Sequence, residues 1–149
     1  MSSTLAVVTT PTFQIAINCA DPHSLARFWA GVVGYQVEDH HDGVERMIAA
    51  GYADRDAAVE IDGRLQWATA TACFDPDGRG PRLLFQQVPE TKTVKDRIHL
   101  DLHFPTDGNA EVERIIELGA TRLWDGQQGP HTWITLADPE GNEFCISTS

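Results

Sequence analysis

The sequence has 149 residues, of which 42% are hydrophobic and 22% charged, values typical of one globular domain or of two small halves sharing a core. Eleven Lys and Arg against 22 Asp and Glu give a formal net charge of −11, which repels phosphate backbones and anionic lipids. We therefore expect neither nucleic acid nor a membrane as a partner. The lack of a long apolar run or a basic leader predicts a cytoplasmic protein, with its three cysteines reduced.

The first half of the chain begins with a strand and a helix. Residues 13–19 (FQIAINC) alternate apolar and polar side chains, which predicts a β-strand. The pair Asp21-Pro22 provides a turn and a cap, and Leu25 and Trp29 have the spacing of one helix face. Gly34 can end that helix, after which an extended pattern resumes.

The second half repeats this order. Residues 98–104 (IHLDLHF) alternate, a turn follows, and residues 110–118 have helical spacing up to Gly119. When the second half is shifted by 85 residues onto the first, Gly119 aligns with Gly34. In both halves a turn of the form DPxG, at 75–78 and 138–141, precedes the closing strand. We therefore predict two modules, each with a strand, a helix and further strands.

The module boundaries follow from composition. The first module is predicted over 12–89 and the second over 97–149, with a polar linker at 90–96 that lacks an apolar period. The offset between the two DPxG turns is only 63, so the first module carries about 22 extra residues, most of them within 40–66. That stretch has weak periodicity, and we expect a long connection with at most one short helix, acting as a lid or rim.

The alternating strands predict a polar concavity. Alternate side chains of a strand point to opposite faces, so the apolar rows should cover the helices and the polar rows should face away from them. If the two sheets curve toward each other, one site collects Gln14, Asn18, His99, Asp101, His103, Glu143 and Cys145. Such a concavity predicts small-molecule binding. The alternative is a solvated sheet face, which gives the same alternation.

Several side chains have two interpretations. His99 is a candidate catalytic residue or a buried histidine with a backbone partner, and Asp101 or His103 on the same face could pair with it. Glu143, if desolvated, would be the general base for proton removal beside a carbonyl. Trp67 and Trp133 either line the pocket for a flat ligand or fill a core, as does Trp124.

The motifs HLDL, LGA and ADPEGNEFCI in the second half, with CADPHSLARFWAGVVGY and LLFQQVPE in the first, resemble the glyoxalase-like branch of the vicinal oxygen chelate superfamily. This superfamily also includes bleomycin resistance proteins and extradiol dioxygenases. The resemblance covers residues 12–147. It implies an α+β fold of two tandem βαβββ modules, which form an eight-stranded cup-shaped mixed sheet with the helices outside, and it implies a homodimer.

The resemblance also implies a set of metal ligands, from which this chain departs. Family members that use a metal bind one divalent ion through His or Gln on the first strand and Glu on the last strand of each module. The matching positions here are Gln14, Gln86, His99 and Cys145, so neither module supplies the carboxylate. Magnesium or manganese would bind this set poorly, whereas zinc could accept His99 and Cys145. The cofactor is thus unknown: a divalent metal such as zinc is one candidate, and we expect no bound metal.

Three functions remain open at this point. One is a lyase or isomerase that acts beside a carbonyl, with Glu143 and His99 in catalysis. Another is a metal-free binding or resistance protein that sequesters an aromatic or drug-like molecule. The third is an interaction module whose cup is filled by its own side chains. Ligand contacts are predicted from Gln14, Asn18, Gln86, Asp101, His103, Trp67, Trp133 and Cys145.

Overall fold

The computed structural model describes residues 6–149, which contain three α-helices, one short 3-10 helix and ten strands. In chain order the elements are β1 (Ile15–Cys19), α1 (Pro22–Val33), β2 (Gln36–Val37), α2 (His41–Ala49), the 3-10 helix (Arg55–Ala57), β3 (Ala58–Ile61), β4 (Arg64–Trp67), β5 (Ala70–Phe74), β6 (Leu83–Gln87), β7 (Leu100–Leu102), α3 (Gly108–Leu118), β8 (Thr121–Gln128), β9 (His131–Ala137) and β10 (Glu143–Ser147).

Eight of the strands form two sheets with equivalent topology. The first has the order β1-β6-β5-β2 and the second the order β7-β10-β9-β8. In each sheet the first strand pairs in parallel with the last, and the remaining pairs are antiparallel. This arrangement confirms the predicted α+β fold of two tandem modules, with the eight strands divided between two separately hydrogen-bonded sheets.

α1 and α3 end at the predicted glycines, and α3 begins at Gly108, two residues before its predicted start. Asp21 caps α1 by accepting a hydrogen bond from the backbone N–H of Ser24, and Asp107 caps α3 by accepting one from Asn109. Gly34 follows α1 with a φ of 73°, a left-handed conformation that glycine adopts without steric cost. Residues of α1, α3 and both sheets share one hydrophobic core, so the two modules fold as one unit.

The inserted region 40–66 is more regular than expected. It contains α2 and a two-stranded hairpin of β3 and β4. The hairpin turn places Asp62 at φ 51° and Gly63 at φ 74°, which suits the Asp-Gly pair of a two-residue turn. No residue of this region lines the cavity described below, so its predicted role as a lid or rim finds no support in the contacts of residues 6–149.

The first strand of each module contains fewer residues than the alternating sequence pattern that predicts it. Phe13 and Ile98, expected on the core side, are 70% and 87% exposed. The pairing of β1 with β6 begins at Ile15, and the pairing of β7 with β10 begins at Leu100. Both side chains therefore lie before the start of the sheet, where the helices do not cover them.

The described residues, 6–149, include no helix with the length and apolar character needed to cross a bilayer.

Candidate functional site

A cavity of about 460 Å³ lies on the second sheet, on the face opposite the shared core. Ligand sites of globular proteins are typically of this size. All of its lining residues come from the linker and the second module: Lys95, His99, Asp101, His103, Trp124, His131, Thr132, Trp133, Thr135, Glu143, Cys145 and Ser147. The cavity thus contains six of the residues predicted from the sequence, namely His99, Asp101, His103, Trp133, Glu143 and Cys145.

Strand register places a row of functional groups across the floor of the cavity. Cys145 on β10 is in register with Asp101 on β7 and with Thr135 on β9, and Thr135 is in register with Trp124 on β8. An irregularity in β8 between Arg122 and Trp124 shifts the pairing there. Bulges of this kind change the direction in which a side chain points, and here the bulge brings Trp124 to the cavity.

The indole of Trp133 lies directly over Gly126. The two residues are cross-strand partners on β9 and β8, and a Cβ at Gly126 would overlap three atoms of the indole ring. Only glycine leaves the space that this ring occupies. The backbone of β8 thus supports a flat aromatic surface in the cavity wall, which agrees with the predicted pocket role of Trp133.

Glu143 is held by the linker. Its carboxylate accepts hydrogen bonds from the backbone N–H of Asp96 at 2.8 Å and from Lys95 Nζ at 3.2 Å, with Lys92 Nζ at 3.8 Å. The Glu143 N–H in return donates to Asp96 Oδ2 at 2.7 Å. The Asp96 N–H and the lysines hold the pKa of Glu143 below its ordinary value. A carboxylate stabilised in its charged form is a weak proton acceptor, so this setting favours anchoring over general-base catalysis.

The linker also supplies a cavity residue that sequence reasoning missed. Lys95 Nζ lies 5.3 Å from the ring centroid of Trp124, within the range of a cation–π contact, while it pairs with Glu143. The segment 90–96 has no apolar period, and nothing in its pattern indicates a contact with a sheet. Trp124 is a pocket candidate of the sequence but not a predicted ligand contact, and Thr135 has no signal beyond strand alternation.

His99, Asp101 and Cys145 form a polar cluster in the cavity. Each offers one potential metal-binding atom, and these three atoms lie within 4.8 Å of one another. His99 Nδ1 is 3.0 Å from Asp101 Oδ1, and Cys145 Sγ is 3.3 Å from the hydroxyl of Thr135. Partial burial raises the pKa of the Cys145 thiol, which keeps it protonated at neutral pH.

The predicted residues of the first module lie outside this cavity. The side-chain oxygen of Gln14 accepts a hydrogen bond from Arg82 Nη1 at 2.9 Å, and Gln86 is exposed on the first sheet. Asn18 lines a smaller groove of about 270 Å³ between β1 and β7, which shares His99 and Glu143 with the cavity. Trp67 ends β4, where its carbonyl oxygen is 2.8 Å from His23 Nε2.

A family comparison agrees with this duplicated architecture. The family described as "Glyoxalase-like domain" matches residues 14–147, almost the entire chain. The chain belongs to this family. None of the curated proteins compared matches this glyoxalase-like domain.

Solved structures show the same fold. A glyoxalase/bleomycin resistance protein/dioxygenase family enzyme from Burkholderia phytofirmans is 17% identical, with a TM-score of 0.60, and the alignment covers 90% of this chain and 94% of that one. The fosfomycin resistance protein FosX from Mesorhizobium loti is 15% identical, with a TM-score of 0.59 and coverages of 100% and 94%. A mutant FosX from Listeria monocytogenes, solved with Mn(II) and a dihydroxypropylphosphonic acid, is 10% identical, with a TM-score of 0.59 and coverages of 95% and 92%.

The donor set of this glyoxalase-like domain does not suit Mn(II). Manganese prefers carboxylate, carbonyl and water oxygens. Of the four positions that the family resemblance implies, the cavity holds only His99 and Cys145, and the amides Gln14 and Gln86 lie elsewhere. The nearby group of His99, Asp101 and Cys145 contains one carboxylate and one thiol. The residues present therefore do not fit a manganese site at the family positions.

Proposed function

We propose that this glyoxalase-like domain captures a small, flat aromatic molecule in the cavity of its second module. The observation that carries the proposal is the contact of Trp133 with Gly126. Because Gly126 on β8 has no side chain, the Trp133 indole can pack directly against the β8 backbone in the cavity wall. Trp124 lies on the same strand and lines the same cavity. Aromatic rings bury a large apolar area and stack with offset geometry, which favours a planar ligand.

The polar residues of the cavity indicate what such a ligand carries. Histidines 99, 103 and 131 and the ammonium of Lys95 provide hydrogen-bond donors within a chain whose net charge is strongly negative. Neutral imidazoles can donate or accept, so a hydroxyl or carbonyl oxygen on the ring finds a partner there.

A second candidate function is a lyase or isomerase that acts beside a carbonyl. The pair His99 and Asp101 supports it, because a carboxylate at 3.0 Å from Nδ1 orients the imidazole and leaves Nε2 for proton transfer. The constrained carboxylate of Glu143 supports capture instead, because its lowered pKa makes it a poor base. Capture therefore remains the better supported function.

We also propose that a second copy of the chain completes the cavity. All residues that line the cavity come from the part of the chain between Lys95 and Ser147. The matching polar residues of the first module, Gln14, Asn18 and Gln86, are exposed. Exposed Phe13 and Ile98 flank the first strands of both modules and offer apolar area to an interface. Light scattering of the purified protein tests this step: a dimer is expected, and a monomer at micromolar concentration contradicts it.

The capture proposal is tested by titrating the protein with a set of flat bicyclic phenols and carboxylic acids while recording tryptophan fluorescence and the heat of binding. Trp133→Leu should weaken the best of these compounds at least tenfold, because it removes the stacking surface. The matched control is Trp67→Leu, a tryptophan outside the cavity. Equal affinity of both variants and the wild type would contradict the proposed site, and product formation from the bound compound would favour the lyase or isomerase.

A further inference from the structure

The linker between the two modules carries both lysines of the chain. Lysine occurs at positions 92 and 95 and nowhere else in the sequence. Both ammonium groups reach the carboxylate of Glu143 on β10, Lys95 Nζ at 3.2 Å and Lys92 Nζ at 3.8 Å. In a chain with a net charge of −11, the two lysine ammonium groups are thus concentrated beside the cavity.

The two lysines differ in exposure and in contacts. The side chain of Lys92 is 26% exposed, and its Nζ also lies 3.6 Å from Asp96 Oδ1. The side chain of Lys95 is 65% exposed and lines the cavity, with its Nζ 5.3 Å from the ring centroid of Trp124. Lys95 is therefore the lysine that a molecule in the cavity can contact.

Glu143 does not depend on Lys95 for its partners. Its carboxylate also accepts a hydrogen bond from the Asp96 N–H at 2.8 Å and remains close to Lys92. Exposed ion pairs contribute little to stability, so turning the Lys95 ammonium from Glu143 to a ligand costs little. The other carboxylate of the cavity lining, Asp101, has His99 Nδ1 at 3.0 Å. Both carboxylates thus keep a partner when Lys95 exchanges its own.

We propose that Lys95 is the specificity-determining residue of the cavity and selects flat aromatic molecules that carry a carboxylate. The inference rests on the proposed capture function and names the class of ligand. In the complex the ring stacks on Trp133 and the ligand carboxylate accepts a hydrogen bond from Lys95 Nζ. Hydrogen bonds between two ionised groups are shorter and stronger than those between neutral ones, so the carboxylate contributes to affinity as well as to orientation.

The strand register agrees with this division of roles. Trp124 and Gly126 are two residues apart on β8, and their partners on β9 are Thr135 and Trp133. Residues two apart in a strand share a face and are separated by about 7 Å. The Lys95 ammonium beside Trp124 therefore lies one step along the sheet from the Trp133 indole, within reach of a carboxylate on a ring that stacks there.

A cationic ligand is the alternative, because Lys95 itself presents an ammonium to Glu143 and to Trp124. An organic ammonium that took over these contacts would have to enter beside both Lys92 and the displaced Lys95. Like charges at such short distances repel each other, which favours an anion over a cation at this position.

The experiment compares three compounds with the same ring: naphthalene-2-carboxylate, the neutral 2-naphthamide and the cationic 2-naphthylmethylammonium. Tryptophan fluorescence and calorimetric titration measure their affinities at about 0.01 M and about 1 M salt, where the Debye length is roughly 30 Å and 3 Å. At low salt we expect the wild type to bind the carboxylate at least tenfold more tightly than the amide. This preference should decrease at high salt.

Variants of the linker assign the preference to one residue. Lys95→Gln should reduce it to threefold or less, whereas Lys95→Arg keeps the charge and should retain the preference. The matched control is Arg97→Gln, which removes the same charge at an exposed residue outside the cavity lining and should leave the preference unchanged. Thermal unfolding identifies any variant that fails to fold, and Lys95→Met replaces Lys95→Gln in that case.

The outcomes separate this inference from the capture function. Equal affinity of the carboxylate and the amide in the wild type, an undiminished preference in Lys95→Gln, an equal loss in Arg97→Gln, or tightest binding of the cation overturns the inference. If the carboxylate and the amide bind equally and both are lost in Trp133→Leu, capture stands and the selectivity falls. If none of the three compounds binds the wild type, capture and selectivity both fail.

Discussion

Trp29 donates its indole N–H to Asp138 Oδ2 at 3.1 Å and thereby joins the helix of the first module to the turn before the last strand of the second. The two residues are 2% and 3% exposed. Trp29 also packs edge-on against Phe144 of the second sheet, with ring centroids 4.9 Å apart. This contact fixes the position of the second sheet, and so of its cavity, relative to α1.

Replacing Trp29 with Phe should therefore destabilise the whole chain. The change deletes a buried hydrogen bond to a charged group and leaves a gap beside Phe144, for which we expect a loss of ~2–4 kcal/mol in the free energy of unfolding. Urea denaturation followed by circular dichroism measures it. Trp67→Phe, at a partly exposed site without a side-chain hydrogen bond among the described contacts, should cost less than ~1 kcal/mol.

A methyl group at Gly126 should disturb the cavity. The Cβ of Gly126→Ala would overlap the Trp133 ring, so we expect displacement of the indole, about tenfold weaker binding of an aromatic ligand, and a stability loss of ~1–3 kcal/mol. The control is Gly43→Ala in α2, where the added Cβ meets no atom within 4 Å. That variant should be more stable by up to ~1 kcal/mol with unchanged ligand affinity. Equal effects of the two changes would contradict the role given to Gly126.

The two DPxG turns illustrate how much of the fold the sequence predicts. Local signals are sufficient for the turns, the caps at Asp21 and Asp107, and the C-terminal ends of α1 and α3. The turns nevertheless have different partners: Glu140 accepts hydrogen bonds from the N–H groups of Ala20 and Asp21 across the module boundary, whereas the equivalent Asp77 pairs with nearby Arg79. Such contacts depend on tertiary packing, which a local pattern does not encode.

In the candidate site, too, local sequence patterns predict which face of a strand a residue occupies but not its tertiary contacts. Alternation in residues 98–104 correctly assigns His99, Asp101 and His103 to one face, because side chains of a strand have a period of two. It does not determine how two sheets face each other, so the expected meeting of Gln14 with His99 is not seen in the cavity. The hairpin at Asp62-Gly63 did carry a local signal, the Asp-Gly pair, which the weak periodicity around it obscured.

Stability should depend on pH through Glu38. Its carboxylate accepts hydrogen bonds from Arg82 Nε at 2.6 Å and Nη2 at 2.7 Å, and this guanidinium holds the pKa of Glu38 below its ordinary value. A carboxylate whose pKa is lower in the folded state stabilises the protein above its unfolded-state pKa, and this stabilisation is lost as the pH falls through the folded-state pKa.

Arg82→Gln should therefore lower the free energy of unfolding by about 1 kcal/mol at pH 7, a modest value because solvent screens both partly exposed side chains. The difference from wild type should shrink below about pH 4. Chemical denaturation at several pH values measures it. The control is Arg79→Gln, whose pair with Asp77 is 80% and 67% exposed and should contribute nothing measurable. A difference that persists at low pH would exclude the Glu38 carboxylate as its source.

The three cysteines should differ in reactivity toward iodoacetamide under native conditions. Burial raises the pKa of Cys19 to about 11 and that of Cys73 to about 12, and both side chains are inaccessible, so neither should react. Cys145 is partly exposed in the cavity but has a raised pKa, so it should react more slowly than a free cysteine.

The Thr135 hydroxyl lowers the pKa of this thiol, and Thr135→Val should slow alkylation roughly two- to threefold. Mass spectrometry of digested protein assigns the modified residue, full alkylation in denaturant is the control, and faster reaction in Thr135→Val would show that the hydroxyl shields the sulfur instead of favouring its thiolate.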